Sequence, residues 1–250
     1  MMTEATLDDK VALVTGGARR VGAAIASCLH AAGANVVVHH RGSANDANSL
    51  VAGLNEAREN SATTVQANLL DTSAAPRLIA NVLDWRGRLD ILVNNASTFY
   101  ATPLGEITEH HWDDLIGSNL KAPLFLSQAA APALREDHGT IVNIVDIHAQ
   151  RPLRDHLIYG SAKAGLAMLT RSLAKDLAPE VRVNGVAPGA ILWPETDMSE
   201  STKESIIDQV PLSRGGEPGD IAGCVLYLVR DASYVTGQII TVDGGRSIGW

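Results

Sequence analysis

Short apolar runs alternate with longer helix-like segments along the whole chain. Val11–Thr15 reads as a strand, and Arg20–Ala32 as an Ala-rich helix closed by Gly33. Asn35–His40 is a second strand, followed by a polar helix from about Ala44 to Asn60. Thr63–Ala67 is a third strand, Ser73–Arg86 a helix and Leu89–Asn94 a fourth strand. A long helical region, Ala101–Asp137, holds Trp112 and Phe125 and leads into a fifth strand, Thr140–Val145. The helix Tyr159–Ala178, the strand Val181–Val186, a helix from about Pro218 to Val229 and a last strand, Gln238–Val242, complete the order. Strands that alternate with helices predict βαβ units, hence a parallel sheet with helices on both faces. One stretch, Gly189–Glu217, is rich in Pro, Gly, Ser and acids, and reads as an irregular flap over a site. Nothing in composition marks a second unit, so residues 1–250 are expected to form one domain.

Composition narrows the class. Of 250 residues, 46% are hydrophobic and 19% charged, enough for a large core and too apolar for disorder. The net charge of −8 argues against nucleic acid, whose phosphates demand a basic face. No apolar run approaches the ~20 residues of a membrane span. The polar, acidic N-terminus is unlike a targeting peptide, so the expected place is the cytoplasm. The two cysteines, Cys28 and Cys224, lie in apolar helical stretches and read as small buried hydrophobes. His39/His40 and His110/His111 are adjacent pairs whose side chains point apart, so no metal is expected. Trp85, Trp112 and Trp250 read as packing residues; His148 and His156 flank the loop after the fifth strand and read as surface or packing residues, with substrate contact as the alternative. Leu124, Phe125 and Leu126, then Leu166, Met168, Leu169 and Leu173, put apolar side chains on more than one helix face, which implies association with further copies.

The candidate chemistry sits where strands end. Thr15-Gly16-Gly17-Ala18-Arg19-Arg20-Val21-Gly22 follows the first strand and opens a helix. Such a turn lets backbone approach a pyrophosphate at a helix N-terminus, although ordinary tight turns share the pattern. The second strand ends in His39-His40-Arg41-Gly42-Ser43, with no carboxylate before Asp46. A carboxylate there would hold a ribose hydroxyl; a guanidinium pairs with a 2′-phosphate, so Arg41 favours NADPH, if it is not simply a solvated arginine. Asn94-Asn95-Ala96-Ser97 closes the fourth strand, as a cleft wall or a plain Asn turn. Asp146 ends the fifth strand, and Tyr159 and Lys163 share one helix face. An ammonium near a phenol lowers the phenol pKa, and an ionised Asp146 would oppose it and keep Tyr159 protonated.

These motifs together resemble the short-chain dehydrogenase/reductase family from end to end: T-G-x-x-x-x-x-G at Thr15–Gly22, N-N-A at Asn94–Ala96 and Asn119. The match continues in Y-x-x-x-K at Tyr159–Lys163, P-G at Pro188–Gly189 and V-D-G-G at Val242–Gly245. The resemblance implies a single Rossmann-type doubly wound α/β sheet, with Tyr159, Lys163 and Asn119 as catalytic residues and usually four copies per assembly. In place of the family's usual serine stands Asp146; Ser97 replaces a glycine, Arg20 replaces the middle glycine of the turn, and Phe99 follows. Those departures resemble the pteridine reductase branch, and imply reduction of a pterin in folate or related metabolism. The implied cofactor contacts are Gly16, Arg19, Arg20, Val21, His40, Arg41, Gly42, Asn68, Leu69, Asn95, Ala96, Ser97, Tyr159, Lys163, Pro188 and Gly189. The implied substrate contacts are Arg20, Ser97, Phe99, Asp146, Tyr159, Leu192 and Trp193, with Ile248–Trp250 reaching towards a neighbouring copy. Asn68 stands where the family usually has an aspartate. A 3-oxoacyl or small-ketone reductase of the same fold is the alternative, and a non-catalytic nucleotide sensor a more distant one.

Overall fold

The computed structural model describes residues 6–191 and 199–248. Seven strands form one sheet, all parallel: β1 (Val11–Val14), β2 (Asn35–His40), β3 (Ala62–Gln66), β4 (Ile91–Asn94), β5 (Thr140–Ile144), β6 (Arg182–Pro188) and β7 (Ile239–Val242). Their spatial order is β3-β2-β1-β4-β5-β6-β7, so the winding reverses between β1 and β4. Ligands in such sheets bind beyond the carboxyl ends at that reversal.

Helices cover both faces because the central strands are apolar throughout; β1 is buried at all four positions. One core layer joins Ala12 and Val14 of β1 to Ile25 and Leu29 of α1 (Arg20–Ala31) and to Ile221 and Val225 of α8 (Pro218–Arg230). The other joins Leu13 and Leu92 to Leu78 and Val82 of α3 (Ala74–Arg86), Leu126 and Leu134 of α5 (Ala122–Glu136) and Leu177 of α6 (Leu157–Leu177). The polar α2 (Ala44–Ala57) buries only Ala47 and Leu54. Among the described residues no helix is long and apolar enough to cross a membrane.

Four expectations need correction. The long helical region does not begin at Ala101: Pro103 and Gly105 (φ +103°) keep the chain irregular, and α4 (Glu109–Ile116) starts at a capping box between Thr108 and His111. The region is then interrupted by a π-turn, Gly117–Lys121, before α5. The acidic stretch after Gly189 is not wholly irregular, because α7 (Glu200–Ile207) forms there, capped by Ser199, with no buried residue to betray it. Trp112 is half exposed rather than packed, and both cysteines are only partly buried. Trp85 does pack, with the Arg86 guanidinium over its ring.

Candidate active site

The first turn is tied to the end of β4. The Thr15 hydroxyl accepts the N–H groups of Asn95 (2.9 Å) and Ala96 (3.0 Å), and the Asn95 side-chain amide donates to the carbonyls of Thr15 (2.9 Å) and Gly16 (3.0 Å). This staple brings backbones together so closely that a Cβ on Gly22 would lie 2.2 Å from the Gly16 carbonyl oxygen. Gly16, at φ +59°, would place a Cβ 2.9 Å from Ala96 Cα. Sequence reasoning missed the third support. The Gly16 N–H donates to Nδ1 of His39 (3.1 Å), and the opposite ring nitrogen meets the Ala67 carbonyl (3.1 Å). Burial holds His39 down to about 4, so it is a neutral acceptor under the turn.

Beyond the turn lies a cleft of about 330 Å³, between the carboxyl ends of β1, β2 and β4. Gly16, Arg19, His40, Arg41, Gly42, Asn68, Leu69, Ala96 and Ser97 line it together with Ser43 and Ser118. Arg19 is paired with Asp46 (2.8 Å), so the first carboxylate after β2 is occupied and Arg41 stands at the strand end. Nδ1 of His40 is buried and meets no hydrogen-bond partner among the described residues. Val21 packs into the core, and Asn95 holds the wall rather than lining the cleft. Arg20 opens α1 at φ +52°, a left-handed backbone that costs a non-glycine residue on the order of 1 kcal/mol. Pro188 and Gly189 end β6 against the last strand, where a Cβ on Gly189 would sit 2.5 Å from Asp243 Cβ. Leu192, Trp193 and Trp250 lie outside the described residues.

Asp146, Tyr159 and Lys163 converge beside this cleft. The Tyr159 hydroxyl donates to Asp146 Oδ2 at 2.7 Å, while Asp146 Oδ1 accepts the His148 N–H at 2.8 Å and so caps the short 3-10 turn Ile147–Ala149. The expected drop in the tyrosine pKa is absent. Burial and the Asp146 carboxylate push Tyr159 well above the usual phenol range. The reason is geometric: Lys163 Nζ donates to the Ile144 carbonyl (2.9 Å) and stands 5.6 Å from the Tyr159 ring centre. Burial also pulls Lys163 down to about 8, with Asp146 opposing. Asn119 rides on the π-turn, a distortion common at functional sites. Its amide donates to the Thr98 (2.9 Å) and Leu115 (3.0 Å) carbonyls, and its oxygen accepts the Ser97 hydroxyl (2.6 Å).

Phe99, half exposed, meets Tyr159 edge-on at 4.8 Å and stacks on His156 at 4.6 Å. Arg246, from the 3-10 turn Arg246–Ile248, brings a partly buried cation into the field of Asp146. His156, for which the sequence left substrate contact open beside packing, sits against Phe99, whereas Arg246 carried no role in the sequence because it approaches from a distant position in the chain. The ensemble offers a protonated phenol beside a carboxylate, an ammonium below it and an aromatic face at its edge, next to a cleft with a glycine-rich mouth.

A family model described as enoyl-(acyl carrier protein) reductase matches residues 16–247. A protein named pteridine reductase 1 from Leishmania tarentolae is 41% identical over 280 aligned residues, covering 95% of this chain and 96% of that one. A 3-oxoacyl-(acyl-carrier-protein) reductase of Staphylococcus aureus is 39% identical over 240 residues, covering 94% of this chain and 97% of its own. One from Synechocystis is 38% identical over 244 residues, covering 96% and 97%. Matches of this extent, on a seven-stranded parallel sheet with its cleft at the winding reversal, place the chain in the short-chain dehydrogenase/reductase family as one of its oxidoreductases.

Proposed function

We propose that the protein is an NADPH-dependent reductase of pterins, taking oxidised or dihydropterin rings. The observation that carries this reading is the Tyr159 hydroxyl donating to Asp146, beside the exposed face of Phe99. A flat heteroaromatic ring needs a proton on a ring nitrogen and an aromatic surface to lie against, and these groups supply both. The pteridine reductase among the relatives supports it further.

The cleft fits the cofactor. Gly16 and Gly22 let the turn close tightly against Ala96 and its own carbonyl, which sets its backbone at the N-terminus of α1 where a pyrophosphate would sit. Arg41, Ser43 and the buried Nδ1 of His40 would hold the adenosine ribose and its 2′-phosphate, and Lys163 the other ribose. When bound, the dihydronicotinamide supplies the hydride for a ring carbon. Tyr159 gives its proton to the adjacent ring nitrogen. Asp146 keeps the phenol protonated until that transfer, because a second anion beside a carboxylate is unfavourable. Lys163, with its ammonium 5.6 Å from the Tyr159 ring centre, supplies the positive charge of the site, and Ser97, fixed by Asn119, would read the polar edge of the ring with Arg20.

The second reading is a 3-oxoacyl reductase, supported by relatives at 39% and 38% identity. One assay separates them: loss of NADPH absorbance with dihydrobiopterin, dihydrofolate and a β-keto ester in parallel. Preferential turnover of a pterin is the expected result. Turnover of the keto ester alone transfers the site to the second reading.

A further inference from the structure

The helix end that carries Tyr159 carries a second ring. His156 is the residue before α6 and Tyr159 the third within it, so both stand on one side of the first turn. Phe99, from the loop after β4, is caught between them. Its ring lies 4.6 Å from the His156 ring and nearly parallel to it, at 19°, and meets Tyr159 at 78°.

His156 does not cap the helix, since its side chain makes no cap hydrogen bond. Its Nδ1 lies 2.7 Å from the Arg154 carbonyl, and a carbonyl can only accept, so Nδ1 carries the proton and the ring plane is fixed. Between the two, Asp155 at φ +59° offers its carbonyl to the Thr102 N–H at 2.5 Å. The loop bearing Phe99 is therefore joined to the loop bearing His156 at two points. On the other side of His156 opens a separate cavity of about 480 Å³, bordered by Thr102, Leu104, Leu153 and Leu157. Without the imidazole, Phe99 would have room to turn into it.

We infer that His156 is a positioning residue, holding Phe99 as the platform for the substrate ring and keying that platform to Tyr159. The inference rests on the pterin reading. An aromatic pair of this kind contributes a factor of roughly 3 to 10 to an equilibrium constant.

Two substitutions separate the ring from its hydrogen bond. His156→Phe keeps a stacked ring and loses the bond to Arg154; His156→Asn keeps a polar group and loses the ring. The expected result for H156N is a KM for dihydropterin raised roughly 3- to 10-fold with kcat changed much less, and for H156F a KM near that of the parent. In a Phe99→Leu background H156N should add nothing, because the two act through one contact. NADPH affinity, set in a cleft that His156 does not line, reports whether each variant is folded. Equal losses in H156F and H156N, a parent-like KM in H156N, or additive losses in the double variant overturn the inference. If the parent protein itself turns over no pterin, the pterin reading falls and takes the inference with it; parent turnover with an unresponsive His156 series removes the inference alone.

Discussion

At Asp146 a single carboxylate does two things with its two oxygens: one accepts from Tyr159, the other caps the 3-10 turn that follows β5. Asp146→Asn is therefore a cleaner test than Asp146→Ser, since the amide oxygen retains the cap while the charge and the acceptor that faces Tyr159 are removed. Reduction of pterin by D146N should fall by ~10²-fold, the scale of lost acid–base assistance; activity within a few-fold of the parent would refute the role. The pH profile gives a second reading of the same electrostatics. Lys163 is charged below about 8 and neutral above it, so kcat/KM should hold through neutrality and drop as pH rises past about 8. Asp146 raises the Lys163 pKa, so D146N should move that alkaline limb to lower pH. A limb that stays in place in D146N would mean that Lys163 does not set it.

At the scale of elements, the alternation of apolar runs and helical periods was enough to read the seven strands and most helices between them, and Y-x-x-x-K, N-N-A and the glycine-rich turn pointed to residues that the fold brings together as a candidate site. What the pattern could not show depends on contacts between distant segments. α7 buries none of its residues and leaves no apolar stripe, and the π-turn at Asn119 has a helix-compatible sequence. His39 under the turn, His156 behind Phe99 and Arg246 near Asp146 acquire meaning only when the sheet closes. Glycines make the contrast measurable. Gly53 sits exposed inside α2, where a Cβ would meet nothing within 4 Å, whereas a Cβ on Gly22 collides with the Gly16 carbonyl. The same substitution should thus have opposite signs: Gly53→Ala stabilises by roughly 0.5–1 kcal/mol through helix propensity, while Gly22→Ala destabilises and loses NADPH binding. Chemical denaturation and cofactor titration read both, and a Gly22→Ala protein that binds NADPH as the parent does would show that the turn is looser than the staple implies.

For the whole molecule, the question is what covers the outer face of the site-bearing helices. Tyr159 and Lys163 are buried on the inner side of α6, while Leu157 (55% exposed) and Met168 (60%) stand in solvent, as do Leu124 on α5 and Trp112 on α4. Apolar groups of that size are costly to leave in water, at about 25 cal/mol per Å² of apolar surface. We propose that these faces are buried between copies of the chain, in a homotetramer of the kind the family resemblance implies. Light scattering should then give a mass near four times the 26.4 kDa chain. Met168→Glu places a charge in that contact and should shift the protein to smaller species. Because α6 carries the interface on one side and the proton donor on the other, activity should fall with assembly and recover as protein concentration is raised. A fully active particle of single-chain mass would instead leave those leucines and methionine as ordinary surface, and the site self-sufficient within one copy.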